Sequence, residues 1–244
     1  YESKIRAAAA YLKKLQFLED DTYFGGIGYG SDKTRSDLSN TQFALGSLRA
    51  AGIGPDDPAF QNALKFLTRT QNRKENETPG EPTSLPDAEG NTVVRGNDGG
   101  ASYRPFDSKP GTDTLPPGTR MTRSYGSMTY ALLRCYHLCG LDGSDGRVQA
   151  AVDWIGKNWA LDRNPGMPED AKLNGLYYYY MTMAKALDAA GMDTVDVAGK
   201  GEVQWRKELA AKLAQLQKQD GSWVNDDPRW NEDLPVIVTA YSLL

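Results

Sequence analysis

The sequence predicts an all-α fold, an α/α toroid built from about four helix-pair repeats, and three observations predict it. Leu12-x3-Gln16, Leu67-x3-Gln71 and Leu213-x3-Gln217 repeat one helical frame, and Ile155-x3-Trp159 fills the same frame with Trp in place of Gln. A second marker, a small or apolar helix end closed by glycine, recurs at Ala50-Ala51-Gly52, Leu138-Cys139-Gly140 and Ala189-Ala190-Gly191. The two markers keep step, since Gly52 precedes Gln71 by 19 residues and Gly140 precedes Trp159 by 19. Third, no segment alternates apolar and polar residues for long enough to make a substantial strand. A unit that repeats in this way is a pair of helices stacked against its neighbours, one ending in Gly and the next running to the Gln.

The elements follow from that frame. Helices of the second type are expected near residues 3–17, 57–70, 144–159 and 203–218; they are charged and amphipathic, as in Trp205-Arg206-Lys207-Glu208-Leu209-Ala210-Ala211-Lys212, and should keep one face in water. Helices of the first type are expected near 38–51, 124–139, 175–190 and 234–244. They carry eight of the thirteen tyrosines together with Phe43 and fewer charges, so they should be the more buried set. Aromatic helices inside amphipathic ones describe an α/α toroid, with a right-handed α-solenoid as the alternative. Between Gly191 and Gln217 the distance is 26, which allows about seven extra loop residues there. Residues 72–123 interrupt the scheme with seven of the thirteen prolines and seven glycines, and read as a Pro/Gly-rich loop inserted in one domain spanning 1–244. Within it Asn97-Asp98-Gly99-Gly100 echoes Lys218-Gln219-Asp220-Gly221, so it reads as the repeat's own turn displaced by the insertion. Four pairs fall short of a six-pair ring, so the ring is expected to be incomplete, with an open edge that could take a protein partner.

Composition narrows the partners. Twenty-eight Lys and Arg stand against 32 Asp and Glu, a net charge of −4 with no basic block, which removes the electrostatic footprint of nucleic-acid binding. The longest apolar stretch, around 176–190, is broken by Lys185 and Asp188, so no membrane span is expected. Cys135 and Cys139 lie four apart on one helix and read as buried free thiols; His137, the sole histidine, points about 200° away from both, so no metal site is expected. Gly25-to-Gly30 lacks the preceding strand of a dinucleotide loop and reads as an inter-repeat turn. No nucleophile elbow or phosphate loop is present, and no cofactor is implied. Nothing in these residues assigns a compartment.

Leu213-x3-Gln217-x3-Gly221-x-Trp223 is the core of a Gln-Trp motif, and Gln16 with Gly25-Gly26-Ile27-Gly28-Tyr29 is a degenerate version of it. With the helix-pair period, the chain resembles the prenyltransferase and squalene-oxidase repeat superfamily, squalene–hopene cyclases included, over nearly its whole length. Gly25-Gly26-Ile27-Gly28-Tyr29-Gly30, Asp37 to Leu45 and Tyr177 to Tyr180 are similar to a bacterial branch with no established reaction. The resemblance implies an aromatic central cavity holding an isoprenoid or other largely apolar ligand. In cyclases of this superfamily an Asp-x-Asp-Asp-Thr motif protonates an alkene. The matching stretch in this chain is Asp37-Leu38-Ser39-Asn40-Thr41, in which Ser39 and Asn40 replace the two acids that matter, so the standard protonation chemistry is not expected.

The candidate catalytic residue is therefore Asp37, whose competing reading is a helix cap accepting first-turn amides near Asn40. The candidate ligand-binding residues are Phe43, Tyr125, Tyr130, Tyr177, Tyr180 and Tyr241. At about 100° per residue Tyr177 and Tyr180 share a face of their helix while Tyr178 and Tyr179 turn away. An aromatic stripe can equally be packed core, and two other functional readings stand beside the cyclase-like one: an interaction scaffold with a solid centre, and a glycan-active toroid using Asp37 and nearby tyrosines.

Overall fold

A computed structural model describes residues 1–19, 22–30 and 36–244. Eight α-helices are found among the described residues: α1 (Glu2–Lys14), α2 (Leu38–Ala50), α3 (Pro58–Thr70), α4 (Gly126–Leu138), α5 (Gly146–Lys157), α6 (Leu176–Ala189), α7 (Trp205–Leu216) and α8 (Pro235–Leu243). Six short strands join them: β1 (Ser84–Pro86), β2 (Thr92–Val94), β3 (Thr112–Leu115), β4 (Thr119–Thr122), β5 (Val195–Val197) and β6 (Gly201–Val203).

The all-α class, and with it the pure α/α toroid, is thereby corrected: the fold is mixed, with a four-stranded sheet ordered β1-β2-β4-β3 and a separate β5–β6 hairpin beside the helices. The unpredicted strands are only three or four residues long, too short for a period of two to stand out from its surroundings. The larger sheet occupies the 72–123 insertion. Its centre pairs β2 with β4 in parallel, Val93 opposite Arg120, and its two outer pairs are antiparallel. Asn72, fully buried, ties this sheet to the end of α3: its Nδ2 donates to the Thr122 carbonyl (3.1 Å) and Ser124 Oγ (2.8 Å), while its Oδ1 accepts from the Gly96 amide (3.1 Å) and Thr122 Oγ1 (2.8 Å). The β5–β6 hairpin takes up the extra residues between Gly191 and Gln217.

The even-numbered helices form the inner layer. α4 packs against α2 on one side and α6 on the other, and α6 packs against α8. Ten of the thirteen residues of α4 are buried, including Tyr130, Leu132, Cys135 and Tyr136. α1, α3 and α5 lie against them from outside; in α3 Ala59, Phe60, Ala63, Phe66, Leu67 and Thr70 turn inward at helical spacing. Caps start the outer helices where the sequence provides them. Asp57 accepts from the Ala59 amide (3.0 Å) with Pro58 at the first position, and Asp145 accepts from the Arg147 amide (2.8 Å). No helix among the described residues is long and apolar enough to cross a membrane.

Candidate functional site

The N-terminal ends of α2, α4 and α6 converge on one cleft of about 550 Å³, closed on its other sides by the segment 103–109, by Trp230 to Glu232 and by Tyr241 of α8. That volume suits a small organic ligand. How each helix starts determines what the cleft presents.

Asp37 caps α2. Its Oδ1 accepts from the Asn40 amide and its Oδ2 from Asn40 Nδ2, both at 2.8 Å, and the Tyr103 hydroxyl is a further partner. Burial pushes the carboxyl up, and these hydrogen bonds with nearby Arg104 only partly offset it. Asp37 is thus a cap bonded at Asn40, as the capping reading expects; it is also a buried acid of raised pKa on the cleft wall, but the free state expected of a chemical acid, with no helix amide to satisfy, is not met. Ser39 and Asn40 are also occupied, since Ser39 Oγ bonds the Tyr178 hydroxyl (2.8 Å).

Glu232 does for α6 what Asp37 does for α2, from 55 residues away. Oε2 accepts from the Tyr177 amide (3.2 Å) and Asn225 Nδ2 (2.7 Å), and Oε1 from the Tyr178 amide (2.8 Å). It is 1% exposed and burial raises its pKa too. The chain reaches it through an unusual turn, in which Trp230 (φ 59°) and Asn231 (φ 63°) both take the left-handed conformation that side chains disfavour. Trp230 leaves that turn half exposed at the rim, against Gly175. At α4 the first amides are held by the Pro165 carbonyl (2.7 Å) and Asn164 Oδ1 (3.1 Å), so all three helix starts are capped by protein groups.

Of the aromatic residues predicted to line a cavity, Phe43, Tyr125 and Tyr241 do line the cleft. Tyr130, Tyr177 and Tyr180 do not. Tyr130 is tilted against Tyr179 with ring centroids 5.6 Å apart, Tyr177 meets Tyr180 edge-on at 5.6 Å, and Tyr180 donates to the Leu161 carbonyl (2.6 Å); all three are packed core. The residue expected to turn away, Tyr178, is the one that reaches the cleft, where its hydroxyl accepts from Gln42 Nε2 (2.7 Å) and its ring lies 6.2 Å from Phe43 and 6.0 Å from Tyr241. Tyr177 and Tyr180 do share a face, but α6 is surrounded by protein on nearly every side, so sharing a face does not decide which face opens to space. Tyr103, Arg104, Lys109, Trp230 and Glu232 carry no periodic signal and escape sequence reasoning. Asp37 with its helix start, Phe43, Tyr125 and Tyr241 are the cleft residues visible in the sequence.

These findings overturn the cyclase expectation. The fold carries two sheets, the candidate aromatic rings Tyr130, Tyr177 and Tyr180 fill the interior, and the space that remains is a cleft with two carboxylates and two cations on its walls. The picture of an all-α, squalene–hopene-cyclase-like toroid falls with it. Cys135 and Cys139 are buried free thiols, Cys139 with its thiol pushed up to about 12 by burial. His137 Nε2 is buried with no hydrogen-bond partner among the described residues. Asn76, which heads a glycosylation triplet, is buried and donates to Gln71 Oε1 (2.9 Å).

No protein-family model, curated protein or solved structure matches the chain.

Proposed function

We propose that the protein recognises a small polyhydroxylated ligand, of the size of one or two sugar rings, at the cleft where α2, α4 and α6 begin. What carries this reading is the mixture on its walls. Aromatic side chains of Phe43, Tyr178, Tyr241 and the half-exposed Trp230 stand beside hydroxyl, amide and charged groups from Asn40, Ser127, Arg104 and Lys109. A sugar ring offers apolar C–H faces and a rim of hydroxyls, and a site of this composition answers both. A purely apolar ligand would displace water from Lys109 without supplying it a partner, at a cost of about 1–3 kcal/mol.

Saturation-transfer NMR with glucose, cellobiose and maltose tests it. Transfer to ring protons, weakened about tenfold in affinity by Trp230→Ala, is the expected result. No transfer from any of these sugars or from their acidic derivatives at millimolar concentration overturns the reading.

A second reading, in which Asp37 is a chemical acid, is favoured by its burial and raised pKa at the cleft wall. Against it, both carboxylate oxygens are engaged by Asn40. Asp37→Asn keeps most of the capping and removes the acid; loss of turnover with an unchanged melting temperature would establish the chemical role, and retained ligand binding supports the cap.

A further inference from the structure

The charges in the cleft are not equally available. Asp37 already accepts from the Asn40 amide, Asn40 Nδ2 and Tyr103, and Glu232 from the Tyr177 amide, the Tyr178 amide and Asn225 Nδ2. Each negative charge is therefore committed to holding a helix start. The positive charges are less fully committed. Lys109 has no carboxylate within ion-pair distance among the described residues, and its ammonium lies 4.1 Å from the centroid of the Tyr103 ring. Arg104 lies 5.3 Å from the same centroid, and its partner Asp107, at 3.3 Å, is itself half exposed.

The segment that carries these two cations is held before any ligand arrives. Arg104 and Asp107 exchange both backbone hydrogen bonds at 3.1 Å, Ser102 Oγ donates to the Arg104 carbonyl (2.9 Å), and Ser108 Oγ donates to the Arg123 carbonyl (2.6 Å). Phe106, at the turn between them, has a left-handed φ of 61° and lies under the buried Arg95 guanidinium at 5.3 Å. A short loop fixed at both ends and strained in the middle is a way of holding side chains at one place.

We propose that the ligand is an acidic sugar, and that its carboxylate or sulfate ester is received by Lys109 with Arg104 beside it, over the face of Tyr103. This rests on the reading of the cleft as a saccharide site. Asp107 and Asp37 face Lys109 as attracting charges, Arg104 and Arg229 as repelling ones, and partial burial lowers its pKa, so the ammonium is incompletely hydrated and incompletely neutralised. An anion supplies the missing partner. A cationic ligand would meet the opposite arrangement: a lysine with no ion pair among the described residues, an arginine paired only to half-exposed Asp107, and two carboxylates already engaged by helix amides.

Titration calorimetry with glucose, glucuronate and glucose 6-sulfate, at low and high salt, decides it. The expected result is that at least one acidic sugar binds about tenfold more tightly than glucose, that salt erodes the advantage, and that Lys109→Gln removes most of it. Lys4→Gln, which removes an exposed lysine of α1, keeps the advantage. Whichever acid gains names the group. Glucose binding as tightly as both acids overturns this proposal and leaves the saccharide reading standing; no binding by any of the three overturns this proposal, and the saccharide reading falls with it where cellobiose and maltose fail too. An advantage that survives Lys109→Gln at full size also overturns it, because the anion would then be held elsewhere.

Discussion

The joint that follows α3 and the joint that follows α7 are both closed by a Gln donating to a turn Gly, and they differ in what else that Gln holds. After α3, Gln71 is fully buried: its Nε2 donates to the Gly99 carbonyl (3.0 Å) and to the Arg147 carbonyl in the first turn of α5 (2.8 Å), and its Oε1 accepts from Asn76 and from the Tyr136 hydroxyl, both at 2.9 Å. After α7, Gln217 is exposed and donates only to the Gly221 carbonyl (3.0 Å). Gln16, after α1, belongs with the first, donating at 2.8 Å both to its turn glycine, Gly25, and to Ala59 in the first turn of α3. The turn closed by Gln and Gly is common to all three. What makes a joint strong is the start of the next outer helix packed against it, because burial converts a replaceable amide into one whose loss strands several partners.

Gln71→Ala puts that contrast to its hardest test. It leaves two carbonyls, the Asn76 amide group and the Tyr136 hydroxyl without their partner in a place water does not reach, and should cost roughly 3 to 5 kcal/mol. Urea denaturation would read this as a fall in the midpoint at constant slope. A cost below about 1 kcal/mol would break the comparison, since it would mean that the buried bonds contribute little.

The glycines sharpen it next. Gly99 and Gly221 both turn with positive φ, 87° and 84°, so alanine is strained at either. At Gly99, however, an added Cβ would lie 2.5 Å from the Ala150 carbonyl oxygen in α5, whereas at Gly221 the nearest atom is Gln217 Nε2 at 4.0 Å. Gly221→Ala should therefore cost about 1 kcal/mol from conformation alone, and Gly99→Ala roughly 2 kcal/mol more because backbone has to move. Equal losses in thermal unfolding would show that the packing of α5 on this turn is unimportant.

Much of this is legible in the amino-acid sequence alone, and the legible part has a common cause. The Gln and Gly frame is a local device, fixed by spacing along one chain segment, and it marks the joints; Asp37 is legible for a similar reason, as a local Asp-x-x-Asn helix start at α2. The turn at Asn97-Asp98-Gly99-Gly100 matches Lys218 to Gly221 across the insertion for the same reason, and Gln71 does close on Gly99. What cannot be read is assembled from distant segments. Glu232 caps α6 from the far side of a turn that only Trp230 and Asn231 make possible; Lys109 and Arg104 reach the cleft on a loop whose composition resembles any Pro/Gly-rich stretch. The two sheets escape notice because their strands are too short to show a period, and Tyr178 is misplaced by helical spacing because its helix is enclosed all round.

The caps extend the buried-against-exposed contrast to pH. Burial raises the carboxyls of the inner-helix caps Asp37 and Glu232. At the outer helices, Asp145 is lowered by its bond to Arg147, and Asp57, which burial alone would raise, is brought down by Lys13 and the Ala59 amide. A raised carboxyl keeps its proton in the folded state where the unfolded chain has lost it. Its contribution is fully present below the ordinary values, 3.8 for Asp and 4.5 for Glu, and is lost as pH rises through the raised folded ones. A lowered carboxyl contributes above its ordinary value and loses that contribution as pH falls through the lowered one. Asp37→Asn should therefore gain on the parent protein as pH rises through that window, while Asp145→Asn should lose on it over the acid limb. Urea midpoints across a pH series would show the two differences sloping in opposite directions; parallel slopes would mean that burial does not dominate at Asp37.

The smallest expected effect carries as much information as the largest. Gln217→Ala removes one bond, to the Gly221 carbonyl, in a residue already exposed to water, and water can replace the lost donor at that carbonyl. The rest of the joint does not depend on it: Trp223, 7% exposed, donates through its indole Nε1 to the Leu213 carbonyl (2.8 Å), and its own amide donates to Thr239 Oγ1 (3.2 Å). The change should stay within about 0.5 kcal/mol, an order of magnitude below Gln71→Ala, although the two residues occupy the same place in the repeat. Should Gln217→Ala instead cost about 2 kcal/mol or more, the amide would be holding its turn without a helix packed on it. The strength of these joints would then belong to the Gln and Gly pair itself, and the first turns of α3 and α5 would merely rest against turns that close without them.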